Sequence, residues 1–315
     1  MPESSYETFS GPHEHQTAIR AADVRFLVTS AGQYQANLTR INLHRLWMQR
    51  SYTSLPYISH SSVTRDRSVI FFLADAAQTP MYHQGVEVAA TDLVFNSIGS
   101  EHYRRMPAAS GWASMSLKPE DLAAAGHTLA GYEVTAPATS AFLGPPARMM
   151  SRLMNLHRAA ADLAAASPDI LAAPEVATAF EDALVRTMIG CLTSQHTVVN
   201  EAPGHQRMTV MRRLQRVIGE NPGKPLYVTD VCVAVGVSER TLRNHCLEHL
   251  GVNPHRYLWL RRMNQARRAL VVADPAATTV TKVATDHGFW ELGRFSVAYR
   301  NLFGEPPSVT LHRTA

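Results

Sequence analysis

The stretch from Leu226 to Gly304 carries one pattern twice. The first copy runs Thr229-Asp230-Val231-Cys232, then Gly236-Val237-Ser238, then Leu242, Cys246, Leu250-Gly251 and Pro254. Shifted by 52 positions, Thr281, Val283, Ala284, Gly288 and Phe289 take the matching places. Shifted by 53, Phe295, Tyr299, Phe303-Gly304 and Pro307 do the same. One residue is therefore added between Gly288 and Phe295, where a turn is expected.

Each copy reads as helix, tight turn, helix. Thr229 and Thr281 stand where a first helix begins and can accept a bond from its unpaired N–H groups. Gly236 and Gly288 stand where the chain leaves that helix and a positive φ costs little. Val237 and Phe289 then plug the angle between the helices. Ser238 offers a cap for the second helix of the first copy. Leu242, Cys246 and Leu250, like Phe295, Tyr299 and Phe303, recur every four residues and define a buried helix face. Two helices joined by a short glycine turn make a helix-turn-helix, whose second helix can enter a DNA major groove. A single such hairpin is a weak signal. Two, joined by the basic helical stretch Pro254–Val272, point to a DNA-binding domain.

At these residues the chain resembles the AraC/XylS family of bacterial transcription regulators. The matching motifs are Leu250-Gly251-x-x-Pro254, Gly288-Phe289, and Phe295 through Phe303-Gly304-Glu305-Pro306-Pro307. The run Gly288-Phe289-Trp290-Glu291-Leu292-Gly293-Arg294-Phe295 looks most like members related to ethanolamine-operon regulators. The specific resemblance covers the last third of the chain.

Charge divides the same way. Residues 205–315 hold 16 Lys and Arg against 8 Asp and Glu, whereas the chain as a whole has a net charge of only +4. A basic third on an acidic remainder suits a polyanionic partner for that third. The 315 residues suffice for two or three domains. No apolar run approaches the roughly 20 residues that cross a bilayer. The N-terminus lacks a secretion signal, so a cytoplasmic protein with no membrane partner is expected. Cys191, Cys232 and Cys246 have no CxxC spacing and read as small buried hydrophobes, not as a disulfide or zinc framework.

The N-terminal run Met1–Gln16 is polar and reads as a tail, with His13-Glu14-His15 solvated rather than ligating. From Ala22 to Leu117 short β-rich stretches follow one another: Val24–Ser30, Leu38–Gln49, Val69–Ala74, Val86–Ala90, Leu93–Ile98 and Gly111–Leu117. Gly85 and Asp92 read as hairpin turns. Many short strands suggest a barrel or double-sheet roll, and the resemblance implies a cupin-like β-roll that binds an effector or supports dimerisation. Tyr82, His83, His102, Tyr103 and Trp112 are the candidates for an effector pocket. A cupin-type metal enzyme would need clustered ligands, and His44, His60, His83 and His102 lie singly in sequence. No cofactor, metal site or enzymatic activity is expected.

Glu120–Ala125 reads as a short helix and Gly126–Pro137 as a connector. From Pro145 two apolar stripes follow, Met149, Leu153, Leu156, Ala160, Leu163 and then Val176, Phe180, Leu184, Met188, Leu192. They make a helical pair, whose stripes either pack on the β-roll or leave one face for a second copy. By the resemblance, Met149, Leu153, Leu156, Leu163, Phe180, Leu184 and Met188 are candidates for a homodimer interface. The expected fold is α+β and multidomain. It comprises a β-rich sensor over 1–144, a helical pair over 145–197, a linker over 198–206 and an all-α DNA-binding domain with two helix-turn-helix motifs over 207–315.

With Leu242 and Cys246 turned inward, Glu239, Arg240, Thr241, Arg243 and Asn244 face out. Arg pairs well with guanine and Asn with adenine. The resemblance places Arg240, Arg243 and Asn244 at positions that contact bases. In the second copy Leu292, Gly293, Arg294, Ser296 and Val297 take the outward places, with little capacity for paired hydrogen bonds. The expected function is a regulator of promoter DNA, an activator responding to a small molecule, with RNA polymerase as a partner by family analogy. Its rivals are a regulator controlled by abundance or a protein partner, a cupin-type metal enzyme, and a DNA-repair protein carrying this module.

Overall fold

Alternating apolar and polar residues over the first 117 positions fold into strands, because the side-chain period of two gives each strand one face to bury. In the computed structural model, which describes residues 2–194 and 205–312, these are β1 (Glu3–Phe9), β2 (Ala22–Val28), β3 (Ala36–Asn42), β4 (Trp47–Thr53), β5 (Tyr57–Val63), β6 (Ser68–Leu73), β7 (Met81–His83), β8 (Val86–Val88), β9 (Leu93–Phe95), β10 (Glu101–Met106) and β11 (Ser110–Leu117). Helix α1 (Pro12–Ala18) lies between β1 and β2, and β12 (Ala141–Leu143) follows helix α2 (Pro119–Ala130). A seven-stranded sheet in the order β1-β3-β4-β11-β6-β9-β12 faces a five-stranded sheet in the order β2-β5-β10-β7-β8.

Alternation decides what each face meets. Leu38, Phe71, Leu73 and Trp112 turn into the space between the sheets, joined by Val24, Tyr57 and Met106 of the second sheet. Their neighbours Ile41, Met48, Phe72, Ala113 and Met115 turn the other way, onto a helical layer. That layer is α2, α3 (Ala147–Ala166), α4 (Pro168–Ala172) and α5 (Pro174–Thr193). The outer face of the five-stranded sheet offers Ile58 and Tyr103 to the C-terminal domain.

The C-terminal helices are α6 (His205–Glu220), α7 (Val228–Val235), α8 (Glu239–Leu250), α9 (Pro254–Val272), α10 (Val280–Asp286), α11 (Leu292–Phe303) and α12 (Pro307–Leu311). They form two cores that share α9. Met211, Leu214, Val231, Leu242, Cys246 and Leu250 meet its first turns. Val283, Ala284, Phe295, Tyr299 and Phe303 meet Leu260, Met263 and Leu270 further along it.

Several sequence expectations need correction. The polar N-terminus is not a tail: β1 pairs with β3, and His15 on α1 is fully buried, bonded to Tyr34 Oη at 2.6 Å and Ser51 Oγ at 2.8 Å. Leu38–Gln49 is two strands, not one. The turn between them is held by Glu181, which accepts the N–H groups of Arg45 and Leu46 and the Arg45 guanidinium. Burial alone would raise the Glu181 carboxyl, but these bonds bring it below its ordinary value. Strands β1, β5, β7, β10 and β12 have no counterpart among the expected stretches; in β5 and β10 Ser, His and Arg at inward positions hide the apolar alternation, and β7 and β12 are only three residues long. Gly126 belongs to α2, not to a connector; its missing Cβ lets Val134 N approach to 2.5 Å of where that atom would be. The proposed linker over 198–206 lies outside the described residues except for 205 and 206, which begin α6.

Candidate nucleic-acid interface and sensor core

The repeated pattern folds into repeated geometry. Gly236 and Gly288 take φ of 76° and 77°, and Gly251 and Gly304 take 69° and 79°. After each turn glycine the chain closes the same way: Val237 N–H donates to Cys232 O at 3.1 Å, and Phe289 N–H to Ala284 O at 2.9 Å. The caps differ from expectation. Thr229 lies inside α7, whose N-cap is Tyr227 without a side-chain bond. In the second copy Thr279, not Thr281, accepts from Lys282 N–H. Ser238 caps α8 through Thr241 N–H at 3.1 Å, while α11 starts from Glu291 without such a cap. The added residue lies in this second turn, where Trp290 is 73% exposed.

On α8, Glu239, Arg240, Arg243 and Asn244 are exposed and Thr241 is half-buried. Glu239 faces His255 Nε2 at 3.2 Å. Arg240, Arg243 and Asn244 form no side-chain hydrogen bond or ion pair among the described residues. Two cations and an amide thus stand free on one helix end, with the donors a base edge or phosphate takes. On α11, Gly293, Arg294 and Val297 are exposed, while Leu292 and Ser296 are half-buried. Arg294 is held by Glu291 at 2.8 Å. The other half of α8 is docked: His249 is 1% exposed, and a Cβ at Gly85 in the β7–β8 turn would lie 3.2 Å from its Nδ1.

Four of the effector candidates divide between the two faces of the second sheet, and Trp112 lies on the inner face of the first. His83 and His102 meet inside, ring centroids 4.4 Å apart, and Trp112 stacks on Phe71 nearby. Tyr103 points outward to Tyr257 of α9, and Tyr82 lies under Arg105 on that same outer side. Sequence reasoning missed Arg104, which shares the interior. Its guanidinium lies 3.3 Å from the Phe71 ring centroid and 3.1 Å from His102 Nε2. Burial lowers Arg104 to about 10, so it stays charged at neutral pH. Burial first, then Arg104, pushes His83 well down; His102 is pushed down by burial, then by His83 and Arg104. Arg104 has no carboxylate partner among the described residues. Arg104 Nε, both His83 ring nitrogens, His102 Nδ1, Ser59 Oγ, Ser61 Oγ and Asn96 Oδ1 are buried without hydrogen-bond partners there. A buried cation beside unsatisfied donors is costly unless an anion completes it. A small cavity of about 40 Å³ touches His102, Arg104, Trp112, Tyr57 and Phe71. The signal was in the sequence, since His102-x-Arg104 alternates inward on one strand, but its partners come from other strands.

Of the dimer candidates, Leu153, Leu184 and Met188 are buried in the protein's own core, and Met149, Leu156, Leu163 and Phe180 are half-buried against it. Their inward placement follows from the seven-stranded sheet, whose outer face needs an apolar cover. On α8, His245, Glu248 and His249 bring their ligating atoms within 4.8 Å of one another, a cluster absent from the sequence expectations. Among the described residues, no helix is long and apolar enough to cross a membrane.

Residues 231–313 match the family described as "Helix-turn-helix domain". The probable thc operon regulatory protein of Rhodococcus erythropolis is 33% identical over 146 residues, covering 46% of this chain and 44% of that protein. The XylDLEGF operon transcriptional activator of Pseudomonas putida is 35% identical over 103 residues, 32% of each chain. The match thus spans less than half the length of these curated relatives. Among solved structures, the AraC-like transcriptional activator CuxR aligns over 84% of this chain and 96% of its own, at 17% identity and a TM-score of 0.44. These matches show that the C-terminal region is similar to the helix-turn-helix region of transcription regulators.

Proposed function

We propose that this chain is a sequence-specific, promoter-binding transcription regulator of the AraC/XylS family, an activator whose β-rich domain answers to a small molecule. The observation that carries DNA reading is the free set Arg240, Arg243 and Asn244 on the exposed end of α8. It lies in a region with twice as many basic as acidic residues. Arginine pairs with guanine and asparagine with adenine across the major groove. Helix α11 offers Leu292, Gly293, Ser296 and Val297 instead, so it works by apolar and shape contacts, with Arg294 and the exposed Trp290 at its entry. In this reading α8 specifies sequence and α11 sets position, the two entering neighbouring major grooves about one turn apart. Footprinting of the full-length protein tests it: protection of two grooves on one DNA face supports the reading, and protection of one groove contradicts it.

The effector reading rests on Arg104. A buried guanidinium with unsatisfied His83 and His102 beside it calls for a small anion such as a carboxylate. Carboxylates that raise the melting temperature of the wild type but not of Arg104→Met support this site. Equal shifts in both place the ligand elsewhere. A domain order of sensor (1–144), helical pair (145–197) and DNA reader (207–315), a homodimer, and contact with RNA polymerase complete the proposal. The likeness of Gly288–Phe295 to ethanolamine-operon-type regulators supports the family assignment and names no effector.

A further inference from the structure

We propose that His245, Glu248 and His249 form a site for a divalent transition-metal ion of zinc type, on the last turns of α8 at its contact with the β-rich domain. The three stand at positions i, i+3 and i+4, which a helix brings to one face. Two histidines four apart on a helix can hold one zinc ion. Their ligating atoms all lie within 4.8 Å of one another, and the two rings are 6.2 Å apart at 34°. Side-chain rotation closes this to the roughly 3.3 Å between two ligands that each lie about 2.0–2.1 Å from a tetrahedral ion.

Three further observations favour a cation here. His245 Nδ1 is buried without a hydrogen-bond partner among the described residues. The cluster sits at the helix C-terminus, where the unsatisfied carbonyls are electronegative and favour positive charge. Burial is graded: His249 is buried, His245 is half-buried and Glu248 is exposed, so an ion has a path in and water can take a fourth position. Two imidazoles with one carboxylate suit zinc, cobalt or nickel rather than calcium or magnesium. Among the described residues no other group of three such side chains converges.

The site's place gives it a consequence. His249 presses on Gly85 in the β7–β8 turn, and the opposite end of the same helix presents Arg240, Arg243 and Asn244. An ion held by His249 therefore fixes the reading helix where it meets the sensor.

The test uses chelator-stripped full-length protein titrated calorimetrically with zinc chloride alone, and with cobalt chloride to read the visible bands of a tetrahedral site. Wild type is expected to bind one equivalent. His245→Gln and Glu248→Gln, each confirmed folded by circular dichroism, are expected to bind at least about tenfold more weakly. The exposed control His13→Gln should bind as wild type does. Absence of saturable binding in wild type, or equal affinity in wild type and both site variants, would overturn the proposal. If His245→Gln fails to fold, Glu248→Gln decides alone.

Discussion

Single side chains carry the recognition proposed for this protein. Arg243 stands free and exposed beside Asn244 on α8. Its change to alanine should cost about 1–3 kcal/mol at one base-pair position and relax specificity there. Binding to a set of operators substituted one position at a time checks this; an equal loss on every sequence would make Arg243 a phosphate contact. His15 illustrates the opposite case, a residue that works by staying uncharged. Burial lowers its imidazole from 6.5 to about 4. As pH falls through 6.5 the unfolded chain takes up a proton that the folded protein refuses until about pH 4. Its contribution is therefore complete above 6.5 and lost between 6.5 and 4. His157, lowered to about 3, acts with the same sign. Urea midpoints should fall between pH 7 and pH 4; a flat profile over that window would contradict buried neutral histidines.

Elements show which parts of a fold a sequence can announce. The doubled helix pair was legible because glycine, apolar and proline positions repeat at fixed offsets, and the four positive-φ glycines sit where that pattern put them. Alanine at Gly236 should destabilise by about 1–2 kcal/mol through the left-handed backbone alone. Alanine at Gly288 should cost more, because its Cβ would lie 2.9 Å from Pro225 Cβ, whereas at Gly236 the nearest atom is 3.8 Å away. Chemical denaturation of the two variants gives the order, and a larger loss at Gly236 would contradict it. Strands were less legible. At β10 the inward residues are His102, Arg104 and Met106, so a strand lining the space between the sheets looks polar in sequence. At β3 and β4 an apolar run hides a break that depends on Glu181, well over a hundred residues later. The caps at Thr229 and Thr281 failed because a threonine one or two positions inside a helix has the same local sequence signature as one before it.

At the scale of the molecule, charge and burial separate the parts. The C-terminal region is basic, and its first helical core closes partly on Ile58 and Tyr103 of the β-rich domain. Arrangements of this kind are the hardest to see in a sequence. Tyr103, a candidate for the effector pocket, faces Tyr257 on the outer side of its sheet, while Arg104 beside it, absent from the candidates, lies inside. Adjacent strand residues point to opposite faces, so only the sheet order tells which side is the core and which the domain contact. The helical pair was legible as apolar stripes, but whether those stripes met a sheet or a second copy was not. The most direct measurement is binding of the purified full-length protein to DNA upstream of its own and neighbouring genes, against random duplex at near-physiological salt. A preference of about a thousandfold or more for one fragment is predicted. Equal binding to every duplex, falling steeply with salt, would reduce the helices to phosphate attraction and contradict sequence reading by α8.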